Sequence, residues 1–167
     1  TDKNGAKTAM KVVLQRVKNA SVEIQNKKFS EIEAGYLLFV GFESGDGSFL
    51  LKPLFEKITQ IKLFPDEQGR FKYSIEETGG SILIVSQFTL SADLKKGKKP
   101  SFTKAMEPVG AESLYNKFVD IARLTNIPIK TGVFQAMMQV QLQNDGPVTI
   151  LLDTRLLFPG LHSQYNK

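Results

Sequence analysis

Ile82-Leu83-Ile84-Val85-Ser86-Gln87-Phe88-Thr89-Leu90 begins as an unbroken apolar run and ends in mixed polar and apolar residues. A short apolar run that follows the break at Gly79-Gly80 reads as a strand buried on both faces, the most buried-looking strand of the chain. Its far end has another character. Ser86, Gln87 and Thr89 place hydroxyls and an amide where burial makes an unpaired polar group costly. They either pair with nearby backbone or line a site built at the strand end.

Upstream, Val12 to Val17 and then Ser21 to Gln25 read as two strands, and Tyr36 to Phe42 as a buried third. Leu50, Leu51, Leu54, Phe55, Ile58 and Ile61 recur at helical spacing, so a first amphipathic helix either begins near Pro53, with that residue in its first turn, or is kinked there. Leu63-Phe64, a turn over Pro65 to Gly69, and alternating Phe71, Tyr73 and Ile75 predict a hairpin. Downstream, Ala111, Leu114, Tyr115, Phe118 and Ala122 form the stripe of a second helix that ends before Pro128. Met138, Val140 and Leu142 alternate with glutamines in a half-buried strand, Asn144 to Pro147 signals a turn, and Val148 to Leu152 is a last strand. The pattern predicts one mixed α/β domain over 10–153, with both helices on one side of the sheets. Residues 1–9 are polar and aperiodic, and are expected to be a cloning remnant or a disordered extension.

Hydrophobic residues make up 41% of the 167 and charged residues 23%, too apolar a balance for a disordered chain. The absence of cysteine excludes disulfides, thiolate catalysis, cysteine-bound zinc and iron–sulfur clusters, and fits a reducing compartment such as the cytoplasm. Apolar runs fall far short of the roughly 20 residues that span a bilayer, so a soluble protein is expected. The net charge is +5, and Lys95, Lys96, Lys98 and Lys99 crowd one segment with Lys104 beyond. That cluster is either a solvated loop or a contact for a polyanion.

His162, the sole histidine, lies near the C-terminus in what reads as a loose tail, leaving no histidine-based triad or metal cluster. Gly41 to Gly47 lacks the Gly-Lys-Ser/Thr end of a phosphate loop and reads as a turn. Glu76-Glu77, taken as strand residues, point to opposite faces and read as solvated charges. Asn144-Asp145-Gly146-Pro147-Val148-Thr149 alone is a turn whose Gly-Pro bond is able to be cis at small cost.

Taken together, Ser86 to Leu90 and Asn144 to Thr149 resemble the two signature motifs of the D-aminoacyl-tRNA deacylase family. The resemblance runs from Met10 to Asp153. It includes Gln15-Arg16-Val17, Ala20-Ser21-Val22, Lys98 to Phe102, Leu114-Tyr115 with Phe118, and Thr131-Gly132 with Phe134 and Met138. It implies a three-layer α/β/β fold and a homodimer with active sites at the subunit interface. It implies D-aminoacyl-tRNA as substrate, with neither cofactor nor metal. In such a site Gly146 and Pro147, joined by a cis bond, reach across the dimer to hold the α-amino group, with Val148 and Thr149 in the same substrate-binding segment. Main-chain donors around Ser86, Gln87, Phe88 and Thr89 grip the scissile ester, and the 2′-hydroxyl of the terminal adenosine helps activate water. Arg16 braces the Gly-Pro loop, while Phe134 and Met138 belong to the substrate-binding set, Met138 on the adenosine pocket. Nothing near Thr89 in sequence supplies a base, so its hydroxyl is assigned a positioning role. Lys95, Lys96, Lys98 and Lys99 become contacts for acceptor-stem phosphates.

Gln135 stands where the family commonly has a small residue, and the tail over 154–167 matches no family motif. The resulting expectation is an esterase that clears D-amino acids, and glycine, from mischarged tRNA. Two other readings stay open. A non-enzymatic basic nucleic-acid-binding protein would leave charged tRNA intact, and a hydrolase of another small ester would act without tRNA.

Overall fold

The structure, a computed structural model, describes residues 9–165. Its longest strands are each one element where the sequence suggests two. β1 (Lys11–Ile24) runs through the exposed pair Lys18-Asn19 because its halves have different partners. Lys11 to Val17 pairs antiparallel with β3 (Gly35–Gly41), and Ala20 to Ile24 with β2 (Lys27–Ile32). The polar pair marks where the strand passes from one partner to the next. β8 (Gln139–Asp153) lines the other edge of β1 along nearly its whole length. The segment expected to be a turn is therefore inside a strand. Asn144 lies opposite Val17 and Thr149 opposite Gln15, so residues 145–148 face only Arg16 and bulge out of the ladder.

β6 (Ser81–Ser86) pairs parallel with β3 and with β7 (Ile129–Thr131), giving the order β2-β1-β3-β6-β7 with β8 on β1. Side-chain alternation sends Tyr36, Leu38, Ile82 and Ile84 to one face and Leu37, Leu83 and Val85 to the other. The first set packs under α1 (Leu51–Gln60) and α3 (Pro108–Arg123). The second set packs against Val17, Ala20, Val22 and Ile32. Those residues come from the same sheet, which has curled over. The Ser30 hydroxyl of β2 donates to the Thr131 carbonyl of β7 at 2.7 Å, although these strands stand at opposite ends of the order. Helices, central sheet and curled β layer make the expected three-layer α/β/β architecture.

Both helices lie where the periodicity puts them. Pro53 occupies the first turn of α1, whose buried Leu51, Leu54, Phe55 and Ile58 form one stripe. Glu107 caps α3 by accepting from the N–H groups of Val109 and Gly110, and Phe118 meets Phe55 edge to face at 5.6 Å. β4 (Phe64–Pro65) and β5 (Phe71–Tyr73) form the expected hairpin, but Ile75 does not extend it. It opens α2 (Ile75–Thr78), where Ser74 and Glu77 cap each other reciprocally. Glu77 is thus a capping group rather than a free strand charge. The Ser74 N–H holds its carboxyl below the usual range.

The chain ends also differ from expectation. Ala9, assigned to the extension, is buried and donates its N–H to Glu43 at 3.1 Å, while 1–8 lie outside the described residues. The tail is not loose. Asp153 caps α4 (Thr154–Leu157), α5 (Pro159–Tyr165) follows, and His162, 2% exposed, sits 3.1 Å from the buried Thr154 hydroxyl. Among the described residues no helix is long and apolar enough to cross a membrane.

Candidate active site

At the end of β6 a cavity of about 940 Å³ opens, with the start of α3 on its lining. Ser86, Gln87, Phe88 and Thr89 line it, as do Phe134 and Met138 from the chain after β7. Six of the residues singled out in the sequence therefore converge on one wall system.

The Ser86 to Leu90 segment is held by its own main chain. Gln87 N–H donates to the Val40 carbonyl at 2.8 Å, carrying the sheet pattern one residue past β6. The chain then turns through a 3-10 helix over Phe88–Ser91, with Leu90 N–H donating to Gln87 and Ala92 N–H to Thr89. Two donors are left over: the N–H groups of Phe88 and Thr89 have no partner among the described residues. Gly41 makes the turn possible. A Cβ there would lie 2.8 Å from the Gln87 carbonyl oxygen and 3.2 Å from Leu90 Cβ. No sequence signal separated Gly41 from the glycine-rich turn that follows it.

The Thr89 hydroxyl and the Glu107 carboxylate on this wall are already committed. The Thr89 hydroxyl donates to Gln87 Oε1 at 2.7 Å, an amide oxygen that cannot act as a base at neutral pH. Glu107 is the only ionisable residue lining the cavity among the described residues, and its two oxygens accept from Val109 and Gly110. Tyr115, just behind, donates to the Ile84 carbonyl at 2.8 Å, and burial pushes its hydroxyl up to about 12. Much of the remaining lining is apolar. Phe134 tilts against Tyr115 with centroids 5.9 Å apart, and Phe88 meets Phe102 edge to face at 5.0 Å.

The second segment lies elsewhere on the chain. Gly146, Pro147, Val148 and Thr149 do not line this cavity; the first three belong to the β8 bulge and Thr149 is the paired residue after it, with Gly146 and Pro147 exposed and their peptide bond cis. Arg16 holds the bulge from beneath. Its Nε donates to the Asp145 carbonyl at 3.0 Å and Nη1 to the Leu63 carbonyl, while its guanidinium lies 6.0 Å from the Phe64 ring centroid. Its side chain is 7% exposed, so the bracing position expected for Arg16 is a buried one. Leu63 was missed, because a main-chain acceptor leaves no residue-type signal.

Lys95, Lys96, Lys98 and Lys99 are exposed on the loop between Asp93 and Ser101, which pair across its base. Lys95 also faces a smaller hollow with Lys11 and Lys104. The Lys95 N–H, with the charges of Lys95, Lys104 and Lys96, holds the Asp93 carboxyl below its usual range.

A family model described as D-Tyr-tRNA(Tyr) deacylase matches residues 13–153. A protein named D-aminoacyl-tRNA deacylase from Aquifex aeolicus (strain VF5) is 45% identical over 146 residues, covering 87% of this chain and 99% of that protein. Its namesake from Dictyoglomus turgidum (strain DSM 6724 / Z-1310) is 46% identical over 145 residues, covering 87% and 93%. A solved structure described as c-Myc DNA Unwinding Element Binding Protein superposes with a TM-score of 0.79 at 40% identity, covering 85% of this chain and 97% of that one. Another, of a probable eukaryotic D-amino acid tRNA deacylase, gives 0.77 at 18% identity over 87% and 99%, a likeness of fold alone. With the cavity built on Ser86 to Thr89 and relatives this similar over nearly their whole length, the chain belongs to the D-Tyr-tRNA(Tyr) deacylase family, hydrolases that act on ester bonds.

Proposed function

We propose that this chain hydrolyses the ester linking a D-amino acid, or glycine, to tRNA, and does so with main-chain groups. The observation that carries this reading is the pair of unpartnered N–H groups at Phe88 and Thr89 on a cavity wall whose one acid, Glu107, and whose Thr89 hydroxyl are otherwise engaged. Fixed amide donors stabilise charge that develops on a carbonyl oxygen, and they need no titratable side chain. Water adds to the ester carbonyl and the two N–H groups hold the oxyanion. The bond to the ribose 3′-oxygen then breaks, releasing amino acid and tRNA with a free 3′-hydroxyl. The 2′-hydroxyl beside that bond is a proton carrier that the substrate itself brings.

The β8 bulge completes the site from a second copy of the chain. Gly146 and Pro147 are exposed on an edge strand away from their own cavity, and Leu151 and Met137, 78% and 89% exposed, supply apolar surface for association. A partner's main chain against the substrate α-carbon excludes an L side chain by collision and leaves a D side chain free. The exposed lysines of the 95–99 loop suit acceptor-stem phosphates. The place of action is the cytoplasm, where charged tRNA is found.

Release of free tyrosine from matched D- and L-tyrosyl-tRNA tests this function. The D form is expected to be cleared and the L form spared. Glycine, with hydrogen in both directions, is expected to be released from its tRNA while L-alanine, larger by one methyl, is retained. Equal rates on the D and L forms, or none on either, would overturn the reading.

A further inference from the structure

Gln135 occupies a backbone position that glutamine disfavours. Val133 to Ala136 forms a turn closed by the Ala136 N–H donating to the Val133 carbonyl at 3.2 Å, and its third residue, Gln135, has φ +62°. A left-handed third position is one that glycine or asparagine ordinarily fills. No contact within the fold explains the glutamine, for it is exposed and its amide has no hydrogen-bond partner among the described residues. The residue does line the cavity, on the same stretch as Phe134 and Met138.

The cavity lining carries two kinds of group. The unpartnered N–H groups of Phe88 and Thr89 are its polar donors, where the deacylase reading above seats the ester. Phe134 and Met138 are apolar lining residues, suited to the flat face of a base. Every tRNA presents adenosine at its esterified end, so an ester seated on those donors brings an adenine into the same cavity. Stacking leaves the base edge unread, and stacking alone does not distinguish one purine from another. A carboxamide offers one donor and one acceptor side by side, the complement of adenine N7 and the N6 amino group.

We propose that Gln135 reads the terminal adenine, donating from Nε2 to N7 and accepting at Oε1 from the N6 amino group. This role rests on the deacylase reading and gives the left-handed glutamine a function that a smaller residue lacks. Three D-tyrosyl-tRNAs test it, ending in adenosine, in 7-deazaadenosine, which lacks N7, and in purine riboside, which lacks the N6 amine. The unaltered protein should lose roughly five- to hundredfold in kcat/KM on either analogue, expressed mainly in KM. Gln135→Gly should treat all three alike and unfold at the same or a higher temperature, because glycine relaxes the turn. Gln135→Glu keeps the acceptor and loses the donor, so it should still respond to loss of N6 but not to loss of N7. A base ranking unchanged by Gln135→Gly, or no ranking in the unaltered protein, would overturn this role while leaving the deacylase reading intact. No release even from the adenosine-ended substrate would overturn both.

Discussion

The two segments that carry the family's signature residues are held in opposite ways. Ser86 to Leu90 leaves the most buried strand and is fixed by main-chain bonds to Val40 and within its own turn. Asn144 to Thr149 bulges from an edge strand, and its contacts with the interior are side chains: the buried Arg16 guanidinium and Val148, half-buried against the core. The first segment is positioned redundantly by main-chain bonds, and the second rests on side chains, with Arg16 its charged donor. Side-chain changes should therefore hurt the bulge far more than the strand end, where a backbone displacement is needed to do harm.

Arg16→Met should have the largest effect. It leaves the Asp145 and Leu63 carbonyls without their charged donor, a loss of about 3 kcal/mol in positioning and thus about a hundredfold in kcat/KM on D-tyrosyl-tRNA. A variant within threefold of the parent would show the bulge to be self-supporting. Gly41→Ala attacks the strand end through its backbone, since the new Cβ meets the Gln87 carbonyl. It should cost about 1–3 kcal/mol in denaturant unfolding by overpacking and lower kcat by about tenfold. Unchanged kcat would mean that the Phe88 and Thr89 donors need no fixed place. Replacing Lys96, Lys98 and Lys99 together with alanine touches neither segment. Single-turnover cleavage at saturation should hold, while the slope of log affinity against log salt flattens by roughly 0.7–0.9 for each phosphate that a lysine no longer neutralises.

What was legible in the sequence follows the same division. Periodic stripes in α1 and α3 and the apolar run of β6 depend on local spacing, and these elements lie where the spacing puts them. β1 and β8 each read as two strands in the sequence because Lys18-Asn19 and Asn144 to Pro147 look like breaks, and only a partner strand carries the chain through them. The Ser74-to-Glu77 capping box is legible in the sequence but competes there with the alternating hairpin signal of Phe71, Tyr73 and Ile75. The C-terminal helices depend on Asp153 as a cap and on the buried contact of His162 with Thr154, the latter a tertiary pairing that local periodicity does not show. In the site, side chains such as Arg16, Phe134 and Met138 left a signal. The Leu63 carbonyl and the spare N–H groups did not, because every residue carries such groups and only the fold decides which go unpaired.

The claim that the strand end works through its main chain is tested most directly by removing its hydroxyls. In Ser86→Ala/Thr89→Ala both are gone, while the Phe88 and Thr89 N–H groups remain. Single-turnover release of tyrosine from D-tyrosyl-tRNA should stay within about tenfold of the parent, since side chains that only position substrate contribute about 1.4 kcal/mol or less to the barrier. A fall to the uncatalysed rate in a variant that unfolds at the parent's denaturant midpoint would restore a side-chain nucleophile and contradict the account.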